Sequence, residues 1–203
     1  PMSPELLAEQ ARSILADAGY AHRGTAHAFD LTGVLVPEFL FDRTTSQSLH
    51  PRLGAVPSGD LVFWYRQSDT PLRPAEAFNV LFSSARVTLN DPPPVRQGMA
   101  STVLDASGRL LLLEGNPPVG RESPERRSSP DWALLFRHAG LKGETLAPTE
   151  PLLLPRSYAS ERRAWVGQHP DAPHLALRVE AAAYHDTTVL FAVLREAASD
   201  ERP

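Results

Sequence analysis

Apolar residues recur at helical spacing near the start of the chain: Leu6, Leu7, Ala11, Ile14, Leu15 and Ala18 follow one another at short, helix-like intervals. Such a row lies along one side of a 3.6-residue helix. Ser3 offers a side-chain acceptor to the free N–H groups of a first turn, Pro4 suits the first helical position, and Gly19 can take the conformation that ends a helix. The spacing predicts a helix over 4–18 that packs its Leu7, Ile14 and Leu15 side against a sheet.

The pattern then changes period. Between Tyr20 and Gly59 it is mixed: Val34-Leu35-Val36 is stopped by Pro37, and Phe39-Leu40-Phe41 fits a helical turn or a short strand equally well. Leu61 to Arg66 is rich in β-forming residues and reads as a strand, and alternation over Ala85–Leu89, within an apolar stretch from Phe78, predicts another before Asp91-Pro92-Pro93-Pro94. Ser101–Leu104 and Arg109–Leu113 flank Asp105-Ala106-Ser107-Gly108, a hairpin in which Gly108 supplies a positive φ. Residues 119–130 are Pro-, Ser- and charge-rich and read as a linker or exposed loop.

After that loop the pattern restarts. Ser129 or Asp131 can cap a short helix carrying Trp132, Leu135, Phe136 and Ala139 and ended by Gly140. Leu175–Tyr184 and Thr188–Leu194 then flank His185-Asp186 as a terminal hairpin. Residues 11–20 align with 131–141 around a shared Ala-Gly-apolar ending. The expected fold is α+β, helices on a mainly antiparallel sheet, with the repetition suggesting a diverged duplication of a helix-plus-sheet unit. The expected lobes are 1–118 and 131–203.

Composition narrows the function. Cysteine is absent, which removes disulfides, thiolate metal sites and a cysteine nucleophile. Net charge is −4 with basic residues scattered rather than striped, so no nucleic-acid partner is expected. The only lysine is Lys142. No run reaches the roughly 18 apolar residues of a membrane helix, and the polar ends suggest a soluble piece of a longer protein.

The motif search gives no active site. G-x-G-x-x-G is missing, and Gly140-Leu141-Lys142-Gly143-Glu144-Thr145 lacks the spacing and Gly-Lys-Ser/Thr order of a phosphate loop. His22-Arg23-Gly24 lacks the aspartate of a kinase catalytic loop, and Ser58 and Ser107 read as turn residues rather than nucleophiles. His169-Pro170-Asp171-Ala172-Pro173-His174 invites a metal, yet its two prolines favour a solvated loop, so no metal or cofactor is assigned. Asp30 and Glu38 are not distinguished as an acid–base pair, because their separation in space decides that role.

The candidate binding residues are aromatic and basic. In a strand Trp64 and Arg66 share one face and Phe63 and Tyr65 the other; Arg178 and Glu180 likewise share a face opposite Val179, Ala181 and Ala183, with Trp165 just upstream. Trp64, Arg66, Trp165, Arg178 and Glu180 are therefore the ligand-binding candidates. A structural role is favoured for the same residues: tryptophans in the core and arginine paired with glutamate across the sheet.

Phe63-Trp64-Tyr65-Arg66-Gln67-Ser68 followed by Pro71-Leu72, Asp91-Pro92-Pro93, Gly98-Met99 and Leu104-Asp105 with Gly108-Arg109-Leu110 resembles a non-kinase region of large membrane-bound bacterial serine/threonine kinases. Ala139-Gly140-Leu141, Arg163-Ala164-Trp165 with Gly167, and Arg178 to Tyr184 resemble later parts of the same region, so the likeness covers most of the chain from Leu61 on. It implies a non-catalytic sensor or regulatory segment, extracytoplasmic, attached to a kinase and membrane spans and acting on a small molecule or protein partner. It supplies no functional residues. One departure is the turn after Tyr184, where similar sequences carry glycine and this chain has His185-Asp186. The alternative is a small hydrolase or transferase with a dispersed site.

Overall fold

A computed structural model of the chain describes residues 2–20, 26–33, 53–55, 61–74, 86–117 and 129–196. The first helix, α1 (Pro4–Asp17), forms as the spacing predicts: the Ser3 side chain accepts the Leu6 N–H at 3.4 Å and Leu7, Ala8, Ala11, Ile14 and Leu15 are buried. Leu6, despite its place in the apolar row, is exposed. Each fully buried leucine or isoleucine contributes about 2 kcal/mol, enough to offset the backbone entropy of its own position.

The strands are β1 (Ala26–Gly33), β2 (Leu53–Ala55), β3 (Leu61–Ser68), β4 (Ala100–Asp105), β5 (Leu110–Gly115), β6 (Ala147–Thr149), β7 (Glu161–His169), β8 (Ala172–Tyr184) and β9 (Thr187–Glu196). The second helix, α2 (Trp132–His138), lies between β5 and β6, and Asp131 rather than Ser129 caps it, accepting the Ala133 and Leu134 N–H groups. The strands pair antiparallel in the order β1-β3-β4-β5-β9-β8-β7-β6, and β2 pairs with the end of β9. The fold is α+β, with two α-helices on one antiparallel sheet among the described residues. Strands of the two predicted lobes join directly through β5 and β9, Leu112 opposite Ala192 and Leu113 opposite Phe191.

The sheet order reads alike from both ends. Each helix is followed by strands that run inward to the central β5–β9 pair, a pseudo-two-fold arrangement. The helix ends repeat in detail. Tyr20 N–H reaches the Leu15 carbonyl at 2.8 Å and Gly19 N–H the Ala16 carbonyl at 3.1 Å; Leu141 reaches Phe136 at 2.8 Å and Gly140 reaches Arg137 at 3.0 Å. Both are Schellman endings, with glycine at positive φ and a large apolar residue folding back over the last turn.

Both faces of the sheet are covered. Phe63, Tyr65, Leu104, Leu113, Val179 and Phe191 meet α1 and α2 in one core. On the opposite face Val62, Trp64, Val103, Leu112, Leu190 and Leu194 are packed by Val87 and Leu89 from one crossing segment and Leu152 and Leu153 from another. These segments have no strand or helix of their own, and we call them straps.

Three expectations need correction or lie elsewhere. Residues 86–89 form no strand: buried Arg66 takes the Thr88 and Pro92 carbonyls, so this backbone crosses the sheet instead of joining its edge. His169–His174 is solvent-facing as expected, with Pro170, Asp171, Pro173 and His174 exposed, but it is no open loop: His169 ends β7, Pro170-Asp171 make a tight turn, and His174 lies inside β8. The prolines fit because the register shifts between Gln168 and His169. Val34–Val36, Phe39–Phe41, Phe78–Ala85 and positions 119–128 of the predicted linker lie outside the described residues.

Both hairpins form at their expected places. Gly108 has φ +87°, and Asp105 accepts the Ser107 and Arg109 N–H groups to close the β4–β5 turn. At the β8–β9 tip, His185 itself takes the left-handed conformation, φ +55°, that glycine would adopt without cost.

Candidate functional site

The five residues singled out from sequence do not converge. Trp64 and Arg66 lie together on β3, buried on the strap face. The Arg66 guanidinium donates to the Thr88 carbonyl at 2.6 Å and the Pro92 carbonyl at 2.5 Å, pinning the first strap. Burial pulls it down to about 10, with Asp91 and Glu114 pulling the other way. Arg178 and Glu180, also buried, lie on the same face but on β8, with β4, β5 and β9 between them and β3. They pair with each other; Arg178 also donates to the Glu150 carbonyl, and Glu180 accepts the Leu152 N–H at 3.1 Å and the Leu153 N–H at 3.2 Å.

Trp165 is on the opposite face. It meets Phe136 edge-on at 5.0 Å and Trp132 at 6.1 Å, inside the helix-side core. Two of the three named charges thus hold backbone carbonyls, and the third holds backbone N–H groups. Sequence reading missed Glu114, which shares a row across three strands with Ser101 and Arg66. Burial pushes its carboxyl up, against the nearby Arg156 and Arg66. Its only sequence signal is a carboxylate ending an otherwise apolar strand.

The structure brings together two other segments that sequence considered separately. Gly140, Leu141, Lys142 and Thr145, from the turn after α2, face Gly167, Gln168, His169, Pro170 and Pro173, from the end of β7 and its turn into β8. Between them lies a cleft of about 440 Å³. Gly167 forms its floor: a Cβ there would stand 2.7 Å from a Leu146 methyl and 3.0 Å from the Thr145 carbonyl oxygen.

The cleft walls are braced from outside. Arg109 passes over Gly140, where an added Cβ would lie 2.9 Å from its Cδ, and pairs with both Asp105, at 2.7 Å, and Asp171. These pairs raise the Arg109 guanidinium and hold Asp171 below the usual carboxylate range. Asp171 also donates its N–H to His169 Nδ1 at 3.2 Å, which leaves the ring proton on Nε2. Thr145 Oγ1 donates to the Lys142 carbonyl at 2.8 Å and shapes the turn. The arrangement offers one ammonium, an imidazole N–H and an amide beside apolar walls, a set suited to holding a ligand.

No helix among the described residues is long and apolar enough to cross a membrane, and no group of three or more metal-ligating side chains gathers among them. No known protein family, curated protein or solved structure matches the chain significantly.

Proposed function

We propose that this chain is a non-catalytic ligand-sensing or protein-interaction module that regulates a membrane-bound bacterial serine/threonine kinase to which it is covalently attached. The resemblance from Leu61 onward motivates the kinase connection. One structural observation carries the binding reading: the charged residues most open to a chemical role, Arg66, Arg178 and Glu180, are occupied with strap backbone, while a separate cleft beside Lys142 and His169 stays open. The residues that carry the resemblance fit this division. Phe63–Ser68 is strand β3, Asp91-Pro92 belongs to the strap that Arg66 pins, and Arg178-Val179-Glu180 grips the second strap. A module of this kind works by preferring one conformation or pairing of the attached kinase when its ligand is bound.

The test is to delete this region from the full-length kinase and measure autophosphorylation with and without cell or periplasmic extract. Loss of the extract's effect is expected. Unchanged regulation, together with turnover of a substrate by the isolated chain, would replace this reading with an enzymatic one.

A further inference from the structure

We infer, building on the binding reading above, that the cleft at the end of α2 takes a small organic monoanion: a single carboxylate on a compact apolar body. Lys142 is the starting point. It is the chain's only lysine in a sequence of net charge −4, it is exposed, and among the described residues its ammonium has no ion pair or hydrogen bond. None of the lining residues is acidic. The carboxylate closest in sequence to the β7 wall, Asp171, is turned onto Arg109 instead. An anion entering here therefore meets an uncommitted positive charge.

The other walls define the rest of the ligand. His169 offers Nε2–H because its Nδ1 already accepts the Asp171 N–H, and Gln168 adds an amide, so a carboxylate can take more than one hydrogen bond. Leu141, Pro170 and Pro173 supply apolar surface, which favours an organic acid over a bare inorganic ion. A volume of about 440 Å³ lies within the range of small-molecule sites. A metal ion fits poorly, since it would face the Lys142 charge and find His169 Nδ1 engaged. The Arg109 pairs and the Gly167 contact hold the walls before any ligand arrives, which lowers the ordering cost of binding.

The experiment uses the whole 203-residue chain, labelled with nitrogen-15, and follows backbone amide signals. Benzoate and hexanoate are titrated against their neutral counterparts, benzamide and hexanamide. At least one acid should shift the amides of Lys142, Thr145, Gly167, Gln168 and His169 saturably, and bind about tenfold or more tightly than its amide. Lys142→Gln, at an exposed position, should erase that preference, and Lys142→Arg should keep most of it. Equal binding of acid and amide, indifference to Lys142→Gln, or no saturable shift with either acid would each overturn the assignment. Kinase regulation is read separately: its loss on deletion, without anion binding, sinks only the ligand class, and anion binding without regulation sinks only the regulatory role.

Discussion

Asp17 and His138 stand at equivalent positions of the two helices, each just before an Ala-Gly pair, and touch each other, Oδ2 to Nε2, at 2.8 Å. A pseudo-two-fold relation between the halves puts such counterparts together wherever the helix ends approach the axis. Each glycine also packs where the other half's hairpin enters its closing strand: a Cβ on Gly19 would meet Thr187, the first residue of β9, at 2.9 Å, and one on Gly140 would meet Arg109, just before β5, at 2.9 Å. The pair is partly exposed, and Asp17 sits at a helix C-terminus, where a negative charge is unfavourable. Asp17→Asn alone should therefore change stability little, while a double-mutant cycle with His138→Gln should give a coupling of about 0.3–1 kcal/mol. Zero coupling by urea denaturation would mean the contact does not hold the helices together.

Two hairpin tips solve the same backbone problem differently, and opposite outcomes follow. Gly108 at φ +87° uses glycine's freedom, so Gly108→Ala should destabilise the fold by about 1 kcal/mol or more. His185 at φ +55° is a side chain in a region where few non-glycine residues settle, so His185→Gly should raise stability by up to about 1 kcal/mol. Thermal melts of the two variants check both signs. A drop in the second would show that the His185 ring, 4.4 Å from Tyr184, contributes more than its backbone costs.

Arg66 tests the straps. Arg66→Met leaves the Thr88 and Pro92 carbonyls without its guanidinium and removes a buried cation beside Glu114, so a loss of about 3–5 kcal/mol is expected. Arg66→Lys should recover little, because a single ammonium does not reproduce the two-pronged reach of guanidinium. Denaturant midpoints together with proteolysis between β3 and β4 would read this out. Full rescue by lysine would place the interaction in charge alone.

Glu114 gives a pH signature. Burial raises its folded carboxyl above the unfolded value, so the folded state binds the extra proton more readily. Stability from this group is present below the unfolded value and is lost as pH rises through the folded one. Glu114→Gln should therefore stabilise the protein at neutral pH, and the gain should vanish near about pH 4, where the unfolded carboxyl is itself protonated. An advantage that persists into acid would mean the charge is not the cause.

Sequence alone determined the features that depend on neighbours along the chain. The α1 stripe and its cap, the Asp105–Gly108 turn, the Ala-Gly endings and the alternation that puts Trp64 and Arg66 on one strand face all follow from local spacing and backbone sterics. Tertiary structure decided what those faces meet. Residues 86–89 alternate like a strand, yet they cross the sheet because Arg66 binds the Thr88 and Pro92 carbonyls from below, a choice set by a residue 22 positions away from Thr88. Arg178 and Glu180 share a face in any β-strand, but whether that face meets a ligand or a strap depends on where Leu152 and Leu153 return. The cleft is the clearest case. Lys142, in the turn after α2, and His169, at the end of β7, belong to separate segments that carry no recognisable signature, and they line one site only because β7 brings Gly167 under that turn. Burial and proximity between distant segments are properties of the packed chain, so no local pattern encodes them by itself.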